Sequence, residues 1–372
     1  MEHFKIPLFK LNFDTREEAA VLKTIRSRWI SSGPRINELE KKFSKLIGVK
    51  YSIATTNCTA SLHLAMLTAG IKEGDEVLCP SLTFVATVNA IRYVGAVPVF
   101  CDITSENDLT ISPEEIERKI SKNTKAILIM HYAGFPCNMK KIMSISKKHN
   151  IKVIEDACHA PLSEYNGKKL GTFGVVSCYS FFSNKNISTG EGGMYVTNNK
   201  AYYNEAKLIR SHGMTTASYD RSRINVINYD VLELGYNYRM DDIRASIALV
   251  QLAKLKKDIS EREKIRKLYF KYLKEIKRIT IPFSEFKGVH SNYIFPILVN
   301  NRDEVRSYLA KNGIQTSIHY QPVHRFKIYR KYYNNLPITD NITKRLLTLP
   351  MYSSLKEVEI KYIIECLMKI IK

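Results

Sequence analysis

The stretch Ser177-Cys178-Tyr179-Ser180-Phe181-Phe182-Ser183-Asn184-Lys185-Asn186-Ile187-Ser188-Thr189-Gly190-Glu191-Gly192-Gly193 decides the reading of the chain. An apolar run that suits a buried strand, Val175 to Phe182, stops at Ser183-Asn184. A single lysine follows, then a polar turn with three glycines, and Met194-Tyr195-Val196-Thr197 restarts a strand. Lys185 is thereby expected on a short connection between two strands, close to the core. Partial desolvation there lowers a lysine pKa toward neutrality and makes a nucleophilic amine available. The bland alternative is a loop lysine with its ammonium in water.

Outward from that stretch, strands and helices alternate. On the N-terminal side the pattern predicts strands over 49–56, 76–79, 97–101, 126–131 and 151–154. Helices are predicted over 59–69, 86–93, 113–120 and 139–149, after two earlier helices at 14–29 and from Ile36. This is the pattern of a largely parallel sheet covered on both faces. Beyond Lys200 the chain turns helical through Arg210, passes a polar segment around 213–231, and enters a long basic helix from Ile243. A smaller α+β unit follows, with strands at Tyr293 to Val299 and Thr316 to Tyr320, a helix from Arg302 to Asn312 and a final helix over 355–371. The expected division is a large α/β domain over 1–255 and a small C-terminal α+β domain over 256–372, bridged by the long helix.

In an open parallel sheet, ligands sit beyond the carboxyl ends of the strands. Three candidate groups fall there. Asn57-Cys58-Thr59-Ala60-Ser61 joins a strand to a helix whose N-terminus offers unpaired N–H groups to a phosphate, although Asn57 could equally be an N-cap alone. Glu155-Asp156-Ala157-Cys158-His159 follows a strand of Ile, Val and Ile, where a carboxylate is costly unless it meets a cation or donors. Lys185 is the third. Phosphate cradle, buried carboxylate and buried lysine on one sheet fit pyridoxal phosphate, which needs a phosphate site, a carboxylate on its pyridinium nitrogen and a lysine for its Schiff base.

Composition bounds the alternatives. The 372 residues carry 57 Lys+Arg against 36 Asp+Glu, a formal net charge of +21, which suits an anionic partner or small phosphorylated substrates. Nucleic acid remains compatible with the charge alone, but it accounts for none of the buried groups. The basic residues of 254–278 interleave with Leu, Ile, Tyr and Phe at helical spacing, as in an amphipathic helix rather than a disordered arm. The 7 cysteines are scattered without a CxxC pair, as expected of reduced thiols in a cytoplasmic protein. Met1 to Lys5 lacks a signal peptide's apolar core, and no apolar run approaches the length of a membrane span. Neither nucleic acid nor membrane is therefore expected as a partner. Nor is a metal, since Pro322 between His319 and His324 prevents a helical His pair and no Cys or Glu completes a set.

With these motifs in order, the chain resembles the DegT/DnrJ/EryC1/StrS family of sugar aminotransferases, fold-type I pyridoxal-phosphate enzymes, nearly end to end. The markers are Pro80-Ser81-Leu82-Thr83-Phe84-Val85-Ala86-Thr87, Gly95-Ala96-Val97-Pro98-Val99-Phe100-Cys101-Asp102 and Glu155-Asp156-Ala157-Cys158-His159-Ala160. They continue with Ser180-Phe181-Phe182-Ser183-Asn184-Lys185, Gly190-Glu191-Gly192-Gly193, Leu234-Gly235-Tyr236-Asn237-Tyr238-Arg239 and His319-Tyr320-Gln321-Pro322-Val323-His324. The resemblance implies a seven-stranded, mostly parallel sheet, with Lys185 as Schiff-base lysine and proton shuttle. It implies Asp156 on the pyridinium nitrogen, His159 near the cofactor's phenolic oxygen and Phe84 stacked on the ring. Cys58, Thr59, Ala60 and Ser180 match the phosphate site, and Asn237 matches a phosphate ligand supplied by the neighbouring subunit of a homodimer. Arg239, His319 and Tyr320 match substrate positions. Cys58 departs from the family's usual glycine, and Val175 from its usual acidic residue after Gly174.

The activity so implied is amination of a nucleotide-linked keto-sugar, a 4-keto-6-deoxy sugar first and a 3-keto sugar second. Glutamate is the expected donor, and the cofactor cycles between pyridoxal and pyridoxamine phosphate on the way to a polysaccharide or other glycoconjugate. A dehydratase of the same family would carry histidine in place of Lys185. A regulator on the same fold would need a DNA-binding domain, for which the residues before 36 give too little length.

Overall fold

A computed structural model describes residues 4–216, 228–274 and 276–371; Met1 to His3 and most of the polar segment expected around 213–231 lie outside the described residues. The main sheet is built from β1 (Tyr51–Thr55), β2 (Glu76–Pro80), β3 (Val97–Cys101), β4 (Thr124–Met130) and β5 (Lys152–Asp156). After a short separate hairpin of β6 (Glu164–Tyr165) and β7 (Lys168–Lys169), β8 (Val176–Ser180) and β9 (Gly193–Thr197) complete it. The order is β1-β9-β8-β5-β4-β2-β3, seven strands with β9 antiparallel to its neighbours β1 and β8 and the rest parallel.

The strands are buried on both faces, which is why they read as continuous apolar runs. Side chains alternate along β4: Ile127 and Ile129 pack with Leu39, Phe43 and Tyr179 on one face, while Ala126 and Leu128 pack with Leu64, Met66 and Tyr195 on the other. The helices that cover these faces obey their local sequence. Helix α2 (Pro34–Ile47), which follows α1 (Thr15–Arg26), opens with proline at its first position and closes on Gly48 at φ 91°, a left-handed cap that favours glycine. Its first turn is held from across the molecule: the Asp242 carboxylate accepts from Gly33, Arg35 and Ile36 N–H at 3.0–3.1 Å. Helix α3 (Cys58–Thr68) is buried along nearly its whole length, so it has no polar stripe. α4 (Val85–Tyr93), α5 (Pro113–Lys119), α6 (Met139–His149) and α7 (Lys200–Ile209) complete this layer.

The long helix α8 (Asp242–Leu273) runs uninterrupted through residue 255. Its first half gives Ala245, Ala248 and Leu255 to the core of the large sheet. Its second half gives Ile265, Tyr269 and Leu273 to a second core, built on the antiparallel strands β10 (Ile279–Thr280), β11 (Phe295–Val299) and β12 (Leu346–Leu349). Helices α9 (Arg302–Lys311), α10 (Pro337–Arg345) and α11 (Glu357–Ile370) belong to this part. The strand expected from Thr316 to Tyr320 is not formed; a single bridge pairs Ser317 with Thr348. Ser317 exchanges both of its backbone bonds with Thr348, and His319 is bonded to other elements. The Tyr132 hydroxyl donates to the His319 carbonyl, which takes that acceptor out of any ladder, and the His319 imidazole bonds Thr348 Oγ1 at 3.1 Å.

The last two residues of β5 are both carboxylates and both buried. Because neighbours on a strand face opposite ways, Glu155 and Asp156 serve different sides of the sheet. Glu155 accepts from the N–H groups of Gly171, Phe173 and Gly174 at 2.6–2.8 Å, from Ser177 Oγ at 3.1 Å and from His131 Nε2 at 3.0 Å. Burial pushes this carboxyl up, but the His131 bond and the peptide donors outweigh it and hold the group below the ordinary carboxylate range. It thereby pins the turn that feeds β8. Glu155→Gln sets an amide NH2 against peptide N–H donors and should cost about 3–5 kcal/mol, the usual result of breaking a buried charged network. Urea denaturation at fixed cofactor and protein concentration checks this, and a loss under about 1 kcal/mol, the worth of one ordinary hydrogen bond, would contradict it.

Candidate active site

β1, β2, β5 and β8 all point the same way, β1 because it pairs with the antiparallel β9. Their carboxyl ends therefore bring Asn57, Phe84, Asp156 and Lys185 to one edge, around a cavity of about 430 Å³. Cys58, Thr59, Ser180, His319 and Tyr320 line the same cavity. Of the residues singled out from sequence, Ala60, His159, Asn237 and Arg239 do not line it.

One end of the cavity is the N-terminus of α3. Asn57 caps this helix, its Oδ1 accepting from Ala60 N–H at 2.9 Å. That bond removes Ala60 from the available donors, whereas the N–H groups of Cys58 and Thr59, at the first two helical positions, have no acceptor within the helix. The helix meets the start of β9 closely: a Cβ at Gly193 would lie 2.5 Å from the Asn57 carbonyl and 2.6 Å from Cys58 N. Only glycine permits that approach, which brings the helix end beside Ser180, the β8 partner of Gly193. An anion is favoured here by the first-turn donors and the helix dipole.

Below this lies Asp156. Its Oδ2 accepts from Thr87 Oγ1 at 2.8 Å and its Oδ1 from Cys158 N–H at 3.1 Å. Thr87 is itself bonded to Thr83 Oγ1 at 2.7 Å. Phe84, between them in sequence, leaves its ring 54% exposed at the cavity wall, a cost in water that a ring-shaped ligand would offset.

Lys185 is half-buried in the connection from β8 to β9, with Nζ 4.1 Å from the centroid of the Tyr293 ring. The expected downward pKa shift is not what the surroundings produce. Burial lowers the lysine pKa, but Tyr293, Cys158 and Asp156 favour the cation more strongly, and the net shift is upward. The lysine is thus an ammonium in the protein alone, with the Tyr293 ring face 4.1 Å away and the Asp156 carboxylate among the groups that favour its charge. Nearby, burial and the Lys185 charge together hold His319 down to about 3 and keep His159 neutral. His159 Nδ1 accepts from Ala133 N–H at 3.3 Å, so the proton sits on Nε2, which donates to the Tyr320 hydroxyl at 2.7 Å. His159 therefore backs the cavity through Tyr320.

Asn237 is exposed on a bridge to Ser211, and Arg239 is half-buried on a bridge to Thr55. Tyr293, whose hydroxyl donates to Asn184 Oδ1 at 3.0 Å, and Thr87 were missed from sequence. Tyr293 sits just before an apolar strand, where an aromatic residue signals core; Thr87 lies in a quoted motif, and its helix position one turn beyond Thr83 was the available signal.

Anion cradle, exposed ring, carboxylate and lysine meet in one cavity, and this donor set fits pyridoxal phosphate: Cys58, Thr59 and Ser180 could hold its phosphate, Phe84 could cover its ring, Asp156 could meet its ring nitrogen and Lys185 its carbonyl. Among the described residues no group of three His, Cys, Asp or Glu is placed to hold a metal ion.

The model of the DegT/DnrJ/EryC1/StrS aminotransferase family matches residues 12–368. The chain is similar to GDP-perosamine synthase from Escherichia coli O157:H7, 39% identical over 365 residues covering 97% of each chain. Its fold is similar to that of Helicobacter pylori PseC, an aminotransferase involved in the biosynthesis of pseudoaminic acid, with TM-score 0.91, 27% identity and coverage of 100% of this chain and 99% of that one. Spr1654 from Streptococcus pneumoniae, a candidate sugar aminotransferase, is similar in its PMP form (TM-score 0.90, 27% identity, 98% and 97% covered) and its PLP form (0.89, 27%, 97% and 96%).

The upward shift at Lys185 leads to a direct expectation. Tyr293→Leu removes the ring beside Nζ that most favours the cation, so Lys185 in the cofactor-free protein should titrate lower than in the wild type. The pH dependence of its reductive methylation, read by peptide mass, measures this; identical titrations would contradict the electrostatic account.

Proposed function

This chain belongs to the DegT/DnrJ/EryC1/StrS aminotransferase family, and from that premise we propose that it is a pyridoxal-phosphate sugar aminotransferase that aminates the ketone of a nucleotide-linked keto-sugar, a 4-keto-6-deoxy sugar, with glutamate as donor. The observation that carries the reading is the meeting of Lys185, Asp156 and the α3 N-terminus in one cavity. When bound, the cofactor supplies a carbonyl to receive the amine and a ring that withdraws electrons from the reacting carbon.

The chain's own groups then have distinct work. The first-turn N–H groups of Cys58 and Thr59, with Ser180, hold the phosphate. Asp156, kept in place by Thr87 and Cys158 N–H, offers a carboxylate to the ring nitrogen. With the cofactor in place, Lys185 Nζ would act as the neutral amine, taking a proton from the donor's carbon and later returning one to the acceptor's carbon; such a shuttle contributes on the order of 10²–10⁴-fold. His159, neutral with its proton on Nε2, orients the Tyr320 hydroxyl toward the reactants. Arg239 and His319 remain the proposed substrate contacts.

We further propose a homodimer with shared sites. Asn237 is exposed outside its own chain's cavity, and its neighbours Val231, Leu232 and Leu234 are 54%, 61% and 86% exposed, an apolar surface that a second copy would cover. Among the described residues no helix is long and apolar enough to cross a membrane, and a cytoplasmic role in building a polysaccharide or related glycoconjugate is the proposed setting.

The substrate is tested by comparing a nucleoside-diphosphate keto-sugar with its free sugar. Binding energy from the unreacting diphosphate should orient the ketone, so kcat/KM should fall at least about 10²-fold without it, partly in kcat. The active species should sediment as a dimer. Equal kcat/KM values, or turnover of α-keto acids with none of the sugar, would overturn the substrate; an active monomer would overturn the shared site.

A further inference from the structure

Behind the cavity wall, Ser81, His324 and Asp340 form a hydrogen-bonded row. Ser81 Oγ lies 2.7 Å from His324 Nδ1, and His324 Nε2 lies 3.0 Å from Asp340 Oδ1. Asp340 also accepts from Arg325 Nε at 3.0 Å and from Tyr333 OH at 3.0 Å. Burial raises its pKa, but these donors prevail and hold it below the ordinary carboxylate range. A carboxylate accepts, so His324 Nε2 carries the proton. Burial favours the neutral ring, which leaves the Nδ1 lone pair to accept from the Ser81 hydroxyl. Ser81 Oγ in turn accepts the His324 backbone N–H at 3.2 Å, and the Ser81 carbonyl accepts Val323 N–H at 2.9 Å.

The residue types are those of a hydrolase triad, but the arrangement is not one. Ser81 is fully buried, it does not line the cavity, and its hydroxyl is engaged as both donor and acceptor. What the row does is join two segments. Ser81 opens the turn that carries Phe84, and its carbonyl also accepts Thr83 N–H at 3.0 Å. Thr83 bonds Thr87, and Thr87 bonds Asp156. His324 ends the segment that carries His319 and Tyr320, whose ring centroid lies 5.8 Å from that of Phe84. A polar chain thus runs from the Arg325–Asp340 pair to the carboxylate at the cavity floor.

We propose that His324 is a positioning residue: through Ser81 and Asp340 it locks the Phe84 turn to the Tyr320 segment and so sets the aromatic walls between which cofactor and substrate lie. This rests on the reading of the cavity as the pyridoxal-phosphate site. Charge and size could instead have made His324 a mere packing residue against Phe100 and Tyr333, at centroid distances of 6.3 and 4.9 Å. The two roles separate by substitution. His324→Phe keeps a ring and loses both bonds, Ser81→Ala loses one hydroxyl, and His324→Asn puts an amide oxygen where Nδ1 accepts.

The test uses holoenzyme, with steady-state kinetics, the visible circular dichroism of the bound cofactor, and amide exchange over 81–84 and 319–324. Ser81→Ala and His324→Phe should each lower kcat by roughly 10- to 100-fold, the scale of a small misplacement of reacting groups, with smaller changes in KM. The visible band should weaken and both segments should exchange faster. The double variant should be no worse than the poorer single one, because one interaction is removed once, and His324→Asn should recover most of kcat. Additive losses, or an unchanged band and kcat with only a lower Tm, would overturn the proposal. If His324→Phe does not fold, Ser81→Ala and His324→Asn decide by the same criteria. A wild-type protein without any visible band would overturn the underlying cavity reading itself, which distinguishes the two failures.

Discussion

Two adjacent carboxylates at the end of β5, Glu155 and Asp156, are shut away from water, and neither can stay there unless surrounded by donors. The alternation of a strand sends them to opposite faces. On one face, peptide N–H groups from the turn before β8 and the His131 ring converge on Glu155. This sets where β8 enters the sheet, and with it the connection that holds Lys185. On the other face Asp156 receives Thr87 and Cys158 N–H, and its second role depends on what fills the cavity. One dipeptide therefore couples the assembly of the fold to the polarity of the site.

The electrostatics of the cavity follow from the same economy. Among the described residues that line the cavity, Lys185 is the group whose cation the surroundings promote, and its charge adds to burial in keeping His159 and His319 neutral. Burial, with Tyr293 next, likewise keeps the Tyr320 phenol protonated. Neutral groups around a single proton carrier, with the His159 tautomer fixed by Ala133 N–H, suit chemistry in which a proton must move between two carbons without being lost to water.

The strands and helices of the large sheet were legible because burial on both faces writes continuous apolar runs, and because Gly, Pro and Asn mark the ends. The position of Lys185 between two strands and of Asp156 at a strand end were legible for the same reason. The direction of the Lys185 shift was not: it depends on Tyr293, distant in sequence and indistinguishable there from a core aromatic. The segment from Thr316 to Tyr320 misread as a strand because β-branched and aromatic residues signal a pleated surface, whereas its pairing stops at the single Ser317–Thr348 bridge and His319 turns its carbonyl and ring to Tyr132 and Thr348. Ser81 and His324 lie in quoted motifs, yet their pairing spans 243 residues and no local pattern records it.

The central claim is that Lys185, and no other of the chain's many lysines, meets the cofactor's carbonyl. Incubating the protein with pyridoxal phosphate, reducing it with borohydride and mapping the adduct by peptide mass tests this without any substrate. The account predicts one phosphopyridoxyl group per chain, on the peptide containing Lys185, lost in Lys185→Ala. A stoichiometric adduct on a different lysine, or labelling scattered over surface lysines with none at 185, would contradict it.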